Sequence, residues 1–266
     1  MVSGRRPDAA VAVLLVITVA ATALVGFLGY VLLSSLGDHG PQAGADPSGS
    51  APTPSGGLSA EAREDALAAA PMVALPQSAA QPQPVVAATA GPPIVVSAPS
   101  AAAAPGGSPF ATGFPHTPEG ALGQLAAIDE AAMSTTDVGR VTEVYTAAAM
   151  PGAVDIADWT PMVGVRDINR HLGPDTAAAA RVSYRVAMGQ IKGTVGPNFV
   201  VACVLGYGVV TAVNTGRAGV ADCQRMVWSA GRWRIGPRSQ PAQPPSAWPG
   251  SADAVRAGWR VVERAS

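Results

Sequence analysis

Cys203 and Cys223 are the only two cysteines of the 266-residue chain, and a pair of thiols can form a disulfide, bind a metal or supply a nucleophile. They fall in segments that read as consecutive strands, so we expect a disulfide between them. If the hairpin folds about Thr215 and Gly216, however, Cys203 lies opposite a residue near Trp228, and a bulge is needed to bring the two sulfurs together. A pair of buried, unbridged thiols remains the alternative.

No other residue pattern predicts catalysis or metal binding. The histidines, His39, His116 and His171, stand far apart in the chain and lack the spacing of metal ligands. A catalytic thiol is disfavoured because no histidine lies near either cysteine in the sequence, and an acid, Asp222, directly precedes Cys223. We therefore expect no catalytic residue, no cofactor and no metal, and a protein that is not an enzyme.

One pair of side chains supports an enzymatic alternative. Asp167 and His171 lie four residues apart, and this spacing places them on one face of a helix, where they can form an acid–base couple. An ordinary surface pair at a helix C-terminus is the simpler interpretation. The enzymatic alternative requires a buried, polar-lined cavity that holds Asp167, His171 or Asp175. The acids of the preceding helical segment fit exposed helix surfaces; they are Glu119, Asp129 and Glu130.

A group of arginines near the end of the folded part is a possible interaction surface. If they form one stripe on the last hairpin, they offer a site for an anionic wall polymer or an acidic partner. The polar outer face of a sheet that buries only one side is the simpler interpretation. The four residues are Arg225, Arg232, Arg234 and Arg238.

The N-terminal sequence predicts the compartment in which these residues lie. The segment from Ala9 to Leu36 contains no charged residue and no proline, and it exceeds the roughly 20 residues that cross a bilayer core as a helix. It predicts a transmembrane helix at 9–36, which makes the lipid bilayer a partner. Arg5 and Arg6 keep the tail, residues 1–8, in the cytoplasm, so that the rest of the chain is extracytoplasmic in a single-pass protein of the cell membrane. Cysteines outside the cytoplasm meet oxidising conditions, as a disulfide requires.

The apolar segment also raises the possibility of a cleaved signal peptide. Ala43-Gly44-Ala45 has the small residues that signal peptidase prefers. The apolar core is longer than that of a signal peptide, and this favours a retained anchor.

Residues 37–109 read as a disordered linker. They consist mainly of Ala, Pro, Gly, Ser and Gln, and no charged residue occurs between Asp65 and Glu119. Such a composition does not bury enough apolar surface to offset the entropy of ordering. The segment from Leu58 to Ala70, which Ser59 can cap, predicts a marginal helix at most.

Residues 110–240 read as one extracytoplasmic α+β domain. Apolar residues recur at helical spacing in the segments 117–134, 135–150 and 157–173, the last interrupted by Pro161 and Gly164. After Pro174 the period changes to two, which predicts four antiparallel strands on which the helices pack. Residues 241–266 predict a Pro-rich spacer and a short C-terminal helix.

The charge balance bears on the class of partner. Lysine and arginine together number 17 against 18 acidic residues, a net charge of −1. A nucleic-acid-binding protein carries a basic surplus, so we expect no nucleic-acid partner.

Three segments of the folded part carry a resemblance to known proteins. They are GFPHTPEGALGQLAAI at 113–128, VADCQRMVWSAGRWRIGP at 220–237 and PPSAWPGSADAVRAGW at 244–259. They resemble a group of single-span actinobacterial membrane proteins that are associated with integrative conjugative elements. The order of tail, span, linker, helices and curved sheet also resembles the bitopic scaffold subunit of type IV secretion systems, whose domain has the nuclear transport factor two-like, or cystatin-like, fold.

The resemblance implies a function without catalysis. It implies a cystatin-like cone in which helices pack on a curved four-stranded sheet, and a membrane-anchored scaffold or assembly component of a conjugation apparatus. The partners it implies are transfer-channel subunits, including copies of the chain itself. Two alternatives stay open, a small-molecule enzyme built on the same cone and a module that binds the cell wall or another ligand.

Overall fold

The computed structural model describes residues 58–100 and 107–265. The predicted cytoplasmic tail, 1–8, and the predicted span, 9–36, lie outside these residues. Within the two described ranges, no helix has the length and apolar character needed to cross a membrane.

The α+β class predicted from the sequence is confirmed, with helices packed on a curled sheet. The sheet is mixed and has six strands, so the prediction of four antiparallel strands is wrong. The strand order is β1-β6-β2-β3-β4-β5; β1 and β6 are parallel and every other pair is antiparallel. The strands are β1 (Ile94–Val96), β2 (Arg181–Val195), β3 (Phe199–Thr211), β4 (Thr215–Ser229), β5 (Arg232–Ile235) and β6 (Arg260–Arg264).

Six α-helices accompany the sheet in the described residues. They are α1 (Ala60–Ala69), α2 (Pro118–Ala132), α3 (Val138–Ala148), α4 (Thr160–Leu172), α5 (Pro174–Ala179) and α6 (Ala252–Arg256), and a 3₁₀ turn spans Gln77–Ala80.

Side-chain caps fix where the two central helices begin. Thr117 accepts a hydrogen bond from the backbone N–H of Gly120 at the start of α2, and Asp137 accepts from Gly139 and Arg140 at the start of α3. These are helices that the sequence predicts. The third predicted helix also forms as α4, because Pro161 lies in its first turn, where the missing N–H costs nothing.

Helices α2, α3 and α4 lie on the concave face of the curled sheet. Their apolar side chains form one core with the inward residues of the strands, among them Val200, Ala202, Val204 and Met226. Residues Trp233 and Ile235 join this core, as their alternation in the sequence indicates. Trp228 is half-buried and is covered by the ring of His116, whose centroid lies 4.3 Å away.

The convex face of the sheet is covered as well, by a segment that the sequence analysis assigned to a disordered linker. That prediction is wrong for residues 58–100. Helix α1 packs on β2 and β3, with Ala68 against Phe199 and Val201, and β1 joins the sheet beside β6. We call residues 58–100 the N-terminal strap. The strap has few apolar side chains, and they are buried only where they pack on the folded domain. For this reason its composition alone suggests disorder.

Charged side chains attach the strap to the sheet. Arg225 on β4 donates to Asp65 Oδ1 at 2.8 Å and to the carbonyl oxygen of Ser239 at 2.9 Å. Arg238 pairs with Asp65 and with Glu61. Lys192 donates to the carbonyl oxygens of Ala68 and Ala70, where the free carbonyls at the end of α1 attract a positive charge.

The C-terminal segment covers a further part of the convex face. Trp259 is fully buried and, with Ala247 and Ala254, packs over Cys203, Leu205 and Cys223. A side chain at Gly219 would overlap the carbonyl oxygen of Ala247, so glycine at this position permits the close approach. The predicted C-terminal helix is only partly correct: α6 is one short turn, and the chain then extends as β6 between β1 and β2.

The register of the β3–β4 hairpin resolves the cysteine pairing. The strands fold about Val213, with Thr211 opposite Thr215, so the predicted turn at Thr215 and Gly216 is two to three residues too late. In this register Cys203 lies directly opposite Cys223, and no bulge is needed. The two form a disulfide with their Cα atoms 4.0 Å apart, as the sequence predicts.

Among the described residues, β2 pairs with a strand on its outer side only at Met188 and Gly189, and side chains on α2 and just after it bind two of the remaining backbone N–H groups. Ser134 accepts from the N–H of Tyr184, and Glu130 accepts from the N–H of Val186. An unpaired strand edge invites association with other chains, and side chains that bind its donors remove this hazard.

We predict that Asp65→Asn destabilises the domain by about 1–3 kcal/mol, because it leaves the buried guanidinium of Arg225 without its carboxylate. Glu143→Gln, which removes an exposed pair with Arg140, is the control and should change stability by less than about 0.5 kcal/mol. All five tryptophans lie beyond residue 158, so urea unfolding followed by tryptophan fluorescence reports on the folded part of the full chain. Equal effects of the two substitutions would show that the strap is not attached as described.

We predict that replacing both cysteines by alanine lowers stability by about 3 kcal/mol, the loss expected when a loop of this length is no longer closed in the unfolded chain. Without reductant or denaturant, the wild-type chain should show no thiol that reacts with iodoacetamide, because the two sulfurs are bonded beneath the C-terminal segment. Two alkylated residues in the native protein, detected by mass spectrometry, would contradict the bridge.

Candidate ligand-binding pocket

The four arginines singled out in the sequence do not form one exposed stripe. Arg225 is only 5% exposed and lies under the strap, and Arg238 is paired with two acids of α1. Arg232 and Arg234 are half-buried on β5, and Arg234 donates to the carbonyl oxygen of Ala149 at 2.5 Å. Three of the four therefore hold parts of this chain together.

The acid and histidine of the enzymatic alternative lie together but do not form an acid–base couple. The carboxylate of Asp167 binds Arg170 at 2.6 Å. The Nδ1 atom of His171 lies 2.8 Å from the backbone carbonyl oxygen of Asp167, so this nitrogen donates to the helix and leaves Nε2 as the acceptor. No hydrogen bond joins the two side chains.

A pocket of about 300 Å³ lies between α4 and the sheet. Helix α4 packs mainly against α3 and α5 and stands away from the strands. Its inward side chains, including Pro161, Val165, Ile168 and Leu172, therefore line an open space between the helix and the strands. Opposite them lie the concave residues of the sheet, Val182, Tyr184, Gly208, Val210, Gly216 and Val220.

The lining of the pocket is mainly apolar. Asp167 and His171 contribute to it, as do Thr160, Thr176 and Asn214, but Asp175 does not. The pocket is thus not the polar-lined cavity that the enzymatic alternative requires. Its polar groups stand singly around an apolar surface, an arrangement typical of sites that bind ligands.

Exposure distinguishes the two ends of the pocket. His171, Val213 and Asn214 line it and are exposed, so they mark the mouth, between the end of α4 and the tip of the β3–β4 hairpin. Val165 and Tyr184 line it and are buried, so they mark the inner end.

Beyond the inner end lie two buried carboxyl groups. Asp222 follows Val220 on the same face of β4; Gln224 donates to its Oδ2 at 2.8 Å. Asp129 faces inward from α2, fully buried, and neither of its carboxyl oxygens has a hydrogen-bond partner within the described residues. The hydroxyl of Tyr184 donates to the carbonyl oxygen of Val220 at 3.0 Å, between the pocket and these acids.

Burial determines how the two acids ionise. Burial raises the pKa of Asp222 to about 7. Hydrogen bonds from Gln224, Thr160 and the N–H of Cys223 favour the charged form and limit this rise. Burial raises the pKa of Asp129 well above its ordinary value, and the nearby charges of Asp222 and Glu130 raise it further. Burial raises the pKa of Tyr184, and the nearby charges of Asp129, Asp222 and Glu130 raise it further. With a pKa of about 7, Asp222 is therefore only partly ionised at neutral pH, and burial favours the protonated form of Asp129.

The sequence patterns do not reveal this pair of acids. The prediction that Asp129 lies on an exposed helix surface is wrong, and Asp222 is notable in the sequence only as the neighbour of Cys223. One signal was available for Asp222: its position in the alternation of β4 is the inward one, shared with Val220 and Met226. Among the described residues, no cluster of three potential ligands suits a metal ion.

Comparison with known proteins finds no matching family model, no matching curated protein and no matching solved structure.

We predict that Asp222→Asn flattens the dependence of stability on pH. Folded Asp222 keeps its proton up to about pH 7, while the unfolded chain releases it near pH 4, so the free energy of unfolding falls as pH rises through this window. The loss is on the order of 4 kcal/mol for a shift of this size. Asparagine has no proton to lose, so the variant should become the more stable protein above pH 7.

Urea unfolding at pH 5, 6, 7 and 8 measures this dependence. Asp129 contributes a slope of the same sign, so Asp222→Asn should reduce the slope without abolishing it. The exposed Glu143→Gln serves as the control and should run parallel to the wild type. A slope in Asp222→Asn equal to that of the wild type would refute the burial of an ionisable Asp222.

Proposed function

We propose that the folded part of this chain is a non-enzymatic binding domain that takes up a compact apolar group in the pocket between α4 and the sheet. The observation that carries the proposal is the unfilled space against the apolar face of α4. An amphipathic helix normally buries that face against protein; here Met162 and Val165 do so, while Ile168 and Leu172 border the open space. A ligand or a partner side chain that fills the space removes this apolar surface from water.

The chemistry of the lining supports binding rather than catalysis. The side chains with acid–base chemistry at the mouth are engaged by other groups, Asp167 by Arg170 and His171 by the helix backbone. The two buried acids, Asp129 and Asp222, are not among the residues that line the pocket. The volume, about 300 Å³, lies at the lower end of the range of ligand pockets and suits a group no larger than a short chain or a ring system.

A second candidate is the assembly role in a conjugation or secretion-like apparatus. The specific observation in its favour is the strap, which anchors the domain firmly to the part of the chain that leads from the predicted membrane span. If 9–36 spans the membrane, only residues 37–57 separate it from the described strap, so the domain stays within about 70 Å of the bilayer and within reach of other membrane-anchored subunits. In this candidate, which also takes up the cystatin-like fold of the resemblance, the pocket receives an apolar side chain of a transfer-channel subunit.

We predict that 1-octanol, as a simple apolar probe, stabilises the domain in the full chain reconstituted in nanodiscs. A probe at 100 times its Kd stabilises a folded protein by about 2.7 kcal/mol, which corresponds to a few degrees in Tm. Val210→Phe places a larger side chain in the pocket and should abolish the shift. Val73→Phe, at an exposed site that does not line the pocket, should retain it.

Tryptophan fluorescence during thermal unfolding gives the readout, with glycerol as the negative probe. The proposal fails if alcohols of six to twelve carbons leave Tm unchanged, or if Val210→Phe and Val73→Phe respond alike. Separate purification of the wild type and Val210→Phe from native membranes tests the second candidate. Loss of co-purified channel subunits in Val210→Phe alone would support it, and equal recovery would count against it.

A further inference from the structure

The end of the sheet that forms the mouth of the pocket carries positive charge without negative charge. Residues 181–187 of β2 and residues 205–220 across β3 and β4 contain three arginines and no acid. Arg181, Arg185 and Arg217 are all exposed, and none of them forms an ion pair with the described residues. We call these three residues the arginine collar.

The strand register places the collar on one face. Ser183 lies opposite Val209, and Val209 lies opposite Arg217, so these three form one row across the strands. Arg181 and Arg185 flank Ser183 at positions two residues away and therefore project from the same side. This is the convex side, because Val182 and Val210, which alternate with this row, line the pocket on the concave side. Since neighbouring strands are about 4.8 Å apart, Arg217 lies roughly 10 Å from β2, and all three side chains reach a common surface.

An exposed apolar residue stands beside the collar. Val213, at the tip of the β3–β4 hairpin, is 82% exposed, more than any other large apolar side chain of the described ranges. It also lines the pocket, together with Asn214. An apolar tip flanked by arginines is the composition of elements that lie at the interface of an anionic bilayer, where the tip enters the acyl region and the cations meet the headgroups.

We propose that this end of the domain docks by its hairpin tip on an anionic lipid surface, with the collar on the convex side of the sheet and the mouth of the pocket on the concave side, so that the apolar group in the pocket is the chain of an anionic lipid. This proposal rests on the binding function proposed above. Charge complementarity favours an anionic bilayer as the partner. The collar arginines have no acidic partners within the described residues, and the phosphate groups of lipid headgroups supply the anions.

The segment between the predicted span and the strap is long enough to allow this docking. The predicted span ends at Leu36 and the described strap begins at Leu58, which leaves 21 residues between them. Fully extended, these residues reach at most about 70 Å, enough to turn the hairpin tip toward the bilayer in which the span is expected.

The test uses the full chain with Asn214→Cys, which introduces a single reactive thiol because the native cysteines are bridged. The thiol is labelled with the fluorophore NBD, and the protein is reconstituted in nanodiscs of phosphatidylcholine with or without 30% phosphatidylglycerol. A fixed fraction of lipid in both carries a nitroxide on the acyl chain. NBD is quenched only when the hairpin tip enters the lipid.

We expect strong quenching in the anionic nanodiscs and weak quenching in the neutral ones. Each arginine near an anionic surface contributes about fivefold, so Arg181→Gln, Arg185→Gln and Arg217→Gln together should lower the docking constant on the order of 100-fold. The matched control removes three other exposed arginines, Arg63, Arg140 and Arg256, and should leave the quenching intact. High salt should release the tip from the lipid.

Two results would overturn the proposal. Equal quenching in neutral and anionic nanodiscs would show that lipid charge does not recruit the tip, and equal docking of the collar and control variants would show that these arginines are not the contact. If octanol still stabilises the protein in either case, the pocket binds an apolar group and only the lipid docking is wrong. If octanol and all the alcohols fail while docking persists, the pocket function is wrong and the collar alone contacts the membrane.

Discussion

Strand β3 is apolar on both of its faces, and the rest of the structure follows from the need to cover both. A strand of this kind is stable only where protein lies above and below it. The helices cover the concave face with one core, and the strap and the C-terminal segment cover the convex face with two smaller clusters. The glycines on β2 and β4 permit this second layer, because side chains at Gly193 and Gly219 would collide with Leu67 and with the backbone at Ala247.

The second layer changes the role of the charged residues. Arg225 and Lys192 lie where a sheet with one solvated face would present polar groups to water, yet both bind the strap. A buried guanidinium needs its carboxylate, since desolvation costs more than a hydrogen bond to a carbonyl restores. The free positive charge lies instead on the outer half of the long strands, at the end where no strap covers them.

The concave face is less completely filled, and the pocket results from this. Helix α4 is held by α3 and α5 at a distance from the strands, so its apolar side chains and those of the hairpin enclose a space. Beyond it, Asp129 and Asp222 are buried where charge is disfavoured, and this couples the stability of the domain to pH. The apolar pocket on the concave face, the arginine collar on the convex face and the exposed hairpin tip lie at the same end of the sheet, and together they support binding of an amphiphilic partner.

The amino-acid sequence by itself determined the α+β class, the bounds of the central helices and the cysteine pair, because periodicity, caps and rare residue types are local properties. Tertiary structure decided that the strap is ordered, which residues pair across the β3–β4 hairpin, and that Asp129 is buried. Ile94 and Val96 appear unsupported in a Pro- and Ala-rich segment until β6, more than 160 residues away, supplies the neighbouring strand. The hairpin register depends on a choice between adjacent turns that packing on both faces settles. Burial, and with it the ionisation of an acid, depends on groups distant in the chain, which no local pattern records.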